Sequence, residues 1–336
     1  MKHTLPGKML AIRQHKADGK LILEEVALPR PGPGEVLVRM HASPINPSDL
    51  ALLKGGYLKR NYPFIPGLEG SGVLVDHGGG LLAGLRKGKR VACTPDPEGD
   101  GTWAEYIKTS VMRTVPLPGS ISMEQGAMML VNPMAAMAFL HLARKGKHRA
   151  MVNNAAASSL GKMLIRLCAE RDLPLINIVR KEEQRNELKN LGASHVLNSS
   201  DESFEAELKQ LASRLEASLF LDAVGGHQCA SLLSAAPPRS TLIAYARLSG
   251  DPISADPGDL IREDKKIAGF QLGNWLQTKG ILFKLRFINQ VKKHMDGALS
   301  SHVNQTFALN DVEEAISYYR THMSQGKIIL KTTNNE

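Results

Sequence analysis

The sequence predicts an α/β protein in two parts, an irregular, barrel-like all-β domain and a doubly wound parallel sheet flanked by helices. Three observations predict it. From Met9 to about Lys108, short strand-like segments are broken by Pro and Gly clusters. From about Met123, strand-length and helix-length segments alternate. The length of 336 residues also exceeds the size at which one core stops growing.

In the first part the expected strands are Leu21–Val26, Glu35–His41, Gly70–Val75, Arg90–Ala92 and Ala104–Lys108. In the second they are Ala150–Asn153, Leu175–Val179, His195–Asn198, Leu219–Val224, Thr241–Tyr245 and Lys266–Phe270. A helix-like stretch to Met295 follows, then Phe307, a helix opened by Asp311 and Glu314, and a closing apolar strand Lys327–Leu330. These last elements do not extend the alternation. The expected boundaries are therefore residues 1–122 with 271–336 for the β domain and 123–270 for the α/β domain.

A composition of 43% hydrophobic and 22% charged residues is that of a globular chain. The apolar stretch Met9–Ile12 is too short for a secretory leader, and no run is long enough to span a bilayer. Cys93, Cys168 and Cys229 are odd in number and far apart, which excludes a disulfide framework or a Cys-x-x-Cys knuckle and points to a reducing cytoplasm. The formal charge of +9 is spread along the chain, with small clusters at Lys145–Arg149 and Lys292–His294. Such a field attracts anionic ligands generally. A nucleic-acid surface would need stacking aromatics as well, and these are only 5% of the chain, so no nucleic-acid partner is expected.

The segment from Met151 to Arg180 carries the clearest site. Asn154, Ala155, Ala156, Ala157, Ser158 and Ser159 join an apolar strand to a helix beginning near Leu160 and Gly161. Small side chains let a backbone approach a pyrophosphate while the helix N-terminus points its free N–H groups at it. Leu160, Met163, Leu164, Leu167 and Cys168 recur at helical spacing and should bury one face. Only Gly161 remains of the usual glycines, so the turn alone is a weak motif. Arg180 strengthens it. It stands at the end of the next strand, where an NAD-binding protein carries an acid for the ribose, and a guanidinium there can fork onto a 2′-phosphate. Lys181 and Arg185 are further cationic candidates. The expected cofactor is NADP(H), and the expected contacts are Asn154, Ala156, Ser158, Ser159, Leu160, Gly161, Arg180, Lys181 and, at the end of the fifth strand of this domain, Tyr245.

The chain resembles the medium-chain dehydrogenase/reductase superfamily, in its zinc-independent quinone-reductase and enoyl-reductase branch. The resemblance rests on Pro31-Gly32-Pro33-Gly34-Glu35-Val36-Leu37-Val38, Asn46-Pro47-Ser48-Asp49, Pro66-Gly67-Leu68-Glu69-Gly70-Ser71-Gly72 and Gly101-Thr102-Trp103-Ala104-Glu105-Tyr106. It continues in Asn132-Pro133, Leu191-Gly192-Ala193, Asp222-Ala223-Val224-Gly225-Gly226 and Gly326-Lys327-Ile328-Ile329-Leu330. It implies a Rossmann domain joined to a GroES-like domain that carries the catalytic residues. In the zinc-dependent members a Cys near the present Asn46 and a His at the present Leu68 bind the metal. Leu68 cannot ligate, and His41 and His77 lack the soft partners of a tetrahedral site, so both read as ordinary polar residues.

Without a Lewis acid, a hydride needs an acceptor that spreads negative charge by conjugation: a quinone, an enone or an enoyl thioester. Tyr57 matches the Tyr that the enoyl-reductase branch uses as proton donor or carbonyl partner; the alternative is packing beside the nicotinamide. By the same resemblance Asn46 binds the nicotinamide ribose or the substrate carbonyl, and Asp49 orders its turn. The stretch Gly269–Trp275 resembles the region that meets its mate across a homodimer; the alternative is that its aromatics line the substrate cleft. The resulting expectation is a metal-free NADPH-dependent reductase of conjugated acceptors. The alternative is a crystallin-like, NADPH-binding structural or RNA-associating protein with little catalysis.

Overall fold

The computed structural model describes residues 5–55 and 60–332. The chain forms two compact units, Met1–Val131 with Ser301–Glu336, and Asn132–Ser300.

In the first unit, a seven-stranded sheet has the path Val303–Ala308, Lys327–Lys331, Glu35–Pro44, Gly70–His77, Arg90–Cys93, Thr114–Pro116, with Tyr106–Ser110 also paired to Glu35–Pro44. A hairpin of Lys8–Gln14 and Leu21–Ala27 stands beside it in the chain's order, and its first strand extends past the apolar stretch Met9–Ile12. Glu35–Pro44 is covered on both faces. Val36, Val38 and Met40 meet Leu74, Val91 and Ile107, while Leu37 meets Ala11, Ile65 and Tyr106. The closing strand alternates likewise, with Ile328 and Leu330 against Trp103 and Ile316, and Ile329 against Ala42 and Met128. Each fully buried aliphatic side chain of this kind contributes roughly 1.5–3 kcal/mol.

The second unit is a six-stranded, wholly parallel sheet. Its strands are β1 (Ala150–Asn153), β2 (Leu175–Val179), β3 (His195–Asn198), β4 (Ala217–Asp222), β5 (Thr241–Ala244) and β6 (Lys266–Gly269), in the order β3-β2-β1-β4-β5-β6. This is the doubly wound order whose ligands bind where the strand order reverses, here at the ends of β1 and β4. The first three strands coincide with the sequence expectation. β4 ends at Asp222 rather than Val224 because the Asp222 carboxylate takes the N–H groups of Val224 and Gly225 and turns the chain. Val152, Ile176, Ile178 and Phe220 pack with Leu208 and Leu232 on one face of the sheet. Helix α1 (Asn132–Lys145) precedes β1, and α2 (Ser159–Ala169) follows it. The face of α2 expected to be apolar, Leu160, Met163, Leu164, Leu167 and Cys168, is buried.

The boundaries expected at residues 122 and 271 are corrected to Val131 and Ser301. The short helix Met123–Ala127 stays with the first unit because Ser71 Oγ donates to Met123 O and Met128 packs on Ala42. The helices α3 (Leu272–Gln277) and α4 (Ile281–His294) stay with the second, where Trp275 and Phe283 lie against His141 of α1 at ring separations of 5.6 and 5.1 Å. Apolar and aromatic packing, rather than continuation of the strand–helix alternation, decides where these helices belong.

Candidate active site

The candidate residues of the first unit gather around Asn46, which opens the short helix Pro47–Leu53. Asp49 Oδ2 accepts from Asn46 N at 2.8 Å and Oδ1 from Leu68 N at 3.0 Å, so Asp49 orders this turn as expected. Asn46 Nδ2 donates to Glu69 Oε1 at 3.0 Å, and Lys327 Nζ donates to Asn46 Oδ1. Glu69 Oε2 accepts from Leu130 N and Val131 N, both at 2.9 Å. Asn46, Asp49, Glu69 and Lys327 are all buried.

The sequence motifs explain how this cluster is held. Gly67 has φ +100, and a Cβ there would lie 2.4 Å from Thr102 Oγ1; one on Gly101 would lie 2.2 Å from Pro66 O. The two Gly-containing fragments can therefore close on each other, and Ser43 Oγ and Thr102 Oγ1 both donate to the Glu69 carbonyl. Burial pushes Asp49 up from its ordinary value of 3.8 to about 7, with the Asn46 and Leu68 N–H groups and the Lys327 charge opposing and Glu69 adding to the rise. Burial raises Glu69 as well, against Lys327 and its hydrogen bonds. Burial lowers Lys327, against the two carboxylates. A desolvated cation with two desolvated acids holds together only as a unit.

Glu69 and Lys327 were not singled out from sequence. The available signal was a charge inside an otherwise apolar run, Lys327 directly before Ile328-Ile329-Leu330. Asn46 was expected to face substrate or cofactor; both ends of its amide are instead engaged by Glu69 and Lys327. Tyr57 lies outside the described residues. Among the described residues, no three His, Cys, Asp or Glu side chains are grouped as metal ligands. His41 stands 3.7 Å from Glu124, and His77 Nδ1 accepts from Gly79 N at 3.1 Å.

In the second unit, the turn after β1 has Ala155 at φ +48, a left-handed conformation that usually calls for glycine. Ser158 caps α2, its Oγ accepting from Gly161 N at 3.1 Å. The N–H groups of Ser159 and Leu160, in the first turn, have no intrahelical acceptor. A Cβ on Gly161 would lie 2.2 Å from Ala156 O, so only glycine lets the helix start this close to the turn. Arg180 follows β2 directly and is exposed. Its backbone is fixed, with N donating to Gln184 Oε1 at 3.3 Å and O accepting from Ser200 Oγ at 3.1 Å. Its guanidinium has no protein partner among the described residues. Lys181, the first residue before the helix Glu182–Asn190, is likewise exposed.

Three expectations at this turn are corrected. Asn154 is fully buried, its amide engaged by Asp222, Gln228 and Ala223 N, so it braces the turn rather than lining it. Ala156 is fully buried, and its N–H donates to Ile178 O at 3.1 Å, which removes it as an anion donor. Arg185 is paired with Glu182 and Asp201 and is not a free cation. Tyr245 lies just past β5, its N donating to Asp222 O at 2.9 Å and its ring 5.0 Å from Phe139. Burial and the Asp222 charge hold its phenol above the ordinary tyrosine range.

A parallel sheet with a small-residue turn after its first strand, joined in one chain to a β unit with the Asn46–Glu69–Lys327 cluster, is matched by known proteins along nearly its whole length. The profile of the alcohol dehydrogenase GroES-like domain matches residues 32–119, and that of the zinc-binding dehydrogenase domain matches residues 159–285. The mitochondrial enoyl-[acyl-carrier-protein] reductase of Bos taurus is 31% identical over 276 residues, 80% of this chain and 73% of that protein. The chain belongs to the medium-chain dehydrogenase/reductase superfamily, in its quinone-reductase and enoyl-reductase branch. A crystal structure from Mesorhizobium loti described as an NADPH:quinone reductase superposes with a TM-score of 0.89 at 32% identity, covering 98% of this chain and 99% of that one. A second such structure, from Bacillus thuringiensis, gives 0.86 at 26% identity, covering 96% and 99%.

Proposed function

We propose that this chain is a zinc-independent, NADPH-dependent reductase of conjugated acceptors: quinones, enones or enoyl thioesters. The observation that carries the proposal is Arg180, whose guanidinium has no partner among the described residues and whose backbone is fixed, after a small-residue turn closed tightly at Gly161. The named activities of the relatives, enoyl-[acyl-carrier-protein] reduction and NADPH:quinone reduction, support it.

The turn fits the cofactor. Ser158, Ser159, Leu160 and Gly161 would hold the pyrophosphate at the start of α2, Arg180 and Lys181 the 2′-phosphate, and Tyr245 would border the site at the end of β5. When bound, the cofactor supplies a hydride to the electron-poor carbon of the acceptor. The chain's own residues then have two tasks. Tyr57 would donate a proton or a hydrogen bond to the acceptor carbonyl, since a phenol remains protonated at neutral pH. Asn46, anchored by Glu69 and Lys327, holds the start of the helix Pro47–Leu53 in place. Leu68 and Asn46 offer a metal no pair of ligands, which supports chemistry driven by acceptor conjugation.

β6 lies at the edge of the parallel sheet and is largely exposed, which supports pairing with a second copy of the chain. The three cysteines are buried free thiols, which fits a reducing cytoplasm. No helix among the described residues is long and apolar enough to cross a membrane.

The test is NADPH oxidation measured over panels of quinones, enones and enoyl thioesters, with chelator present throughout. Turnover on at least one class is expected. Activity abolished by chelator would overturn the metal-free reading, and NADPH binding with no turnover on any acceptor would leave only the cofactor-binding alternative.

A further inference from the structure

We infer that Asp222, acting through Asn154, is a positioning residue that holds the phosphate turn in the shape that receives the cofactor; the inference rests on the NADPH reading above. Asp222 is fully buried at the end of β4. Its Oδ1 accepts from Asn154 Nδ2 at 2.6 Å, from Val224 N at 2.8 Å and from Gly225 N at 3.0 Å. Asn154 answers with three bonds of its own. Its Oδ1 accepts from Ala223 N at 2.7 Å, its Nδ2 reaches Gln228 Oε1 at 3.0 Å, and its backbone N donates to Leu221 O at 3.2 Å. One pair of side chains thus ties together the ends of two adjacent parallel strands, at the point where the sheet's strand order reverses.

The residue after Asn154 shows what the brace resists. Ala155 sits at φ +48, where a residue with a Cβ is strained by about 1–2 kcal/mol and glycine is not. Left to itself an alanine would leave that region. It is clamped instead, by the Asn154 brace on one side and by the Ala156 N–H to Ile178 O bond of 3.1 Å on the other. Strain of this kind persists only where the surroundings over-determine it. Asp222 is fully buried, and the three hydrogen bonds on its Oδ1 help to compensate for the desolvated carboxylate and are costly to lose. The pair performs, with side chains, what a glycine would do by backbone freedom alone.

Five versions of the full chain test this: the native protein, Asn154→Ala, Ala155→Gly, the double variant and Asp222→Asn. NADPH dissociation constants are measured by titration, and the thermal midpoint of each unliganded protein by calorimetry. Asn154→Ala is expected to weaken NADPH roughly tenfold, on the order of one strained residue's worth of free energy. In the Ala155→Gly background the same substitution is expected to cost about threefold or less, because glycine holds the left-handed turn unaided. Asp222→Asn retains the Oδ1 acceptor and is the conservative variant, expected to stay within about threefold of the native affinity; it also guards against the case in which Asn154→Ala does not fold. Equal losses in both backgrounds, or affinities that track the thermal midpoint alone, would overturn the positioning role while leaving the cofactor reading intact. Absence of NADPH binding by the native chain would overturn the cofactor reading and the inference with it.

Discussion

Asn46 and Glu69 share a hydrogen bond of 3.0 Å, with neither residue more than 1% exposed. Lys327 bonds the other end of the same amide, so one neutral side chain separates a buried acid from a buried base. Deleting either charge leaves the other desolvated and uncompensated. Glu69→Ala, which also strips the acceptor from Leu130 N and Val131 N, is expected to destabilise the first unit by about 3–5 kcal/mol. The combined change Glu69→Leu with Lys327→Met should recover part of that loss. Urea unfolding followed by Trp103 fluorescence, in a Trp275→Phe background, measures both; a loss under about 1 kcal/mol for Glu69→Ala would show the cluster to be energetically idle.

Asp49 makes stability depend on pH in an unusual direction. Its folded value, about 7, lies above the ordinary 3.8, so the native state binds its proton more tightly than the unfolded chain does. The stabilisation is complete below about 4 and is lost as pH rises toward about 7, after which this group contributes no further slope. Glu69 is shifted in the same sense, and Lys327, whose value is lowered, in the opposite one. The urea midpoint of the first unit is therefore expected to carry a downward component between pH 4 and 7 that disappears in Asp49→Asn. Identical pH profiles for the two proteins would refute it. The comparison uses slopes, because the new amide also places a donor against Asn46 N or Leu68 N.

These buried charges mark the limit of what the sequence made legible. The apolar run Val36-Leu37-Val38 in Glu35–Pro44 and the helical spacing of Leu160, Met163, Leu164 and Leu167 report burial directly, and the strand and α2 followed from them. The position of Arg180, exposed and directly after a strand, was legible; its use for a 2′-phosphate is the part that is proposed. Asn154 was misread for a physical reason. Its partners, Asp222 and Gln228, lie 68 and 74 residues away, and no local pattern says whether an amide in a turn faces a ligand or a neighbouring strand end. The same holds for Lys327, which bonds a residue 281 positions earlier. The helices α3 and α4 were assigned to the wrong unit because the rhythm of strands and helices does not record which aromatic rings meet.

Arg180→Ala removes the exposed guanidinium, unpaired among the described residues, while leaving the backbone bonds to Gln184 and Ser200 available. Charge-assisted hydrogen bonds to a phosphate contribute about 1.5–3 kcal/mol, so NADPH affinity should fall roughly 10- to 100-fold. NADH affinity should change by no more than about twofold, since no 2′-phosphate is present to lose. Parallel titrations with both nucleotides check this, and a native protein that binds them equally would end the assignment.

Tyr57→Phe deletes one hydroxyl and keeps the ring. If the phenol serves the acceptor, kcat should fall by roughly 10²- to 10⁴-fold, the range for a positioned acid, with the NADPH dissociation constant unchanged. Steady-state rates on every accepted substrate decide the matter. A full rate on all of them would reduce Tyr57 to packing.

Gly161→Ala asks whether the close approach of α2 to the phosphate turn is a requirement. The new Cβ would sit 2.2 Å from Ala156 O and 2.6 Å from Ala156 C, and both are backbone atoms that no rotamer can move. Ala156 cannot retreat freely, because its N–H is bonded to Ile178 O on the neighbouring strand. The start of the helix must therefore shift, with a stability cost of about 1–3 kcal/mol and weaker NADPH binding as the Ser159 and Leu160 N–H groups move off the pyrophosphate position. Gly84→Ala is the control. It lies in an exposed helix with nothing within 4 Å of its added Cβ, and it should be neutral or stabilising by up to about 1 kcal/mol. Calorimetry and NADPH titration on the two variants together separate a local steric effect from a general effect of removing glycine; a Gly161→Ala protein as stable and as tight-binding as the native one would mean that the turn has room its geometry denies.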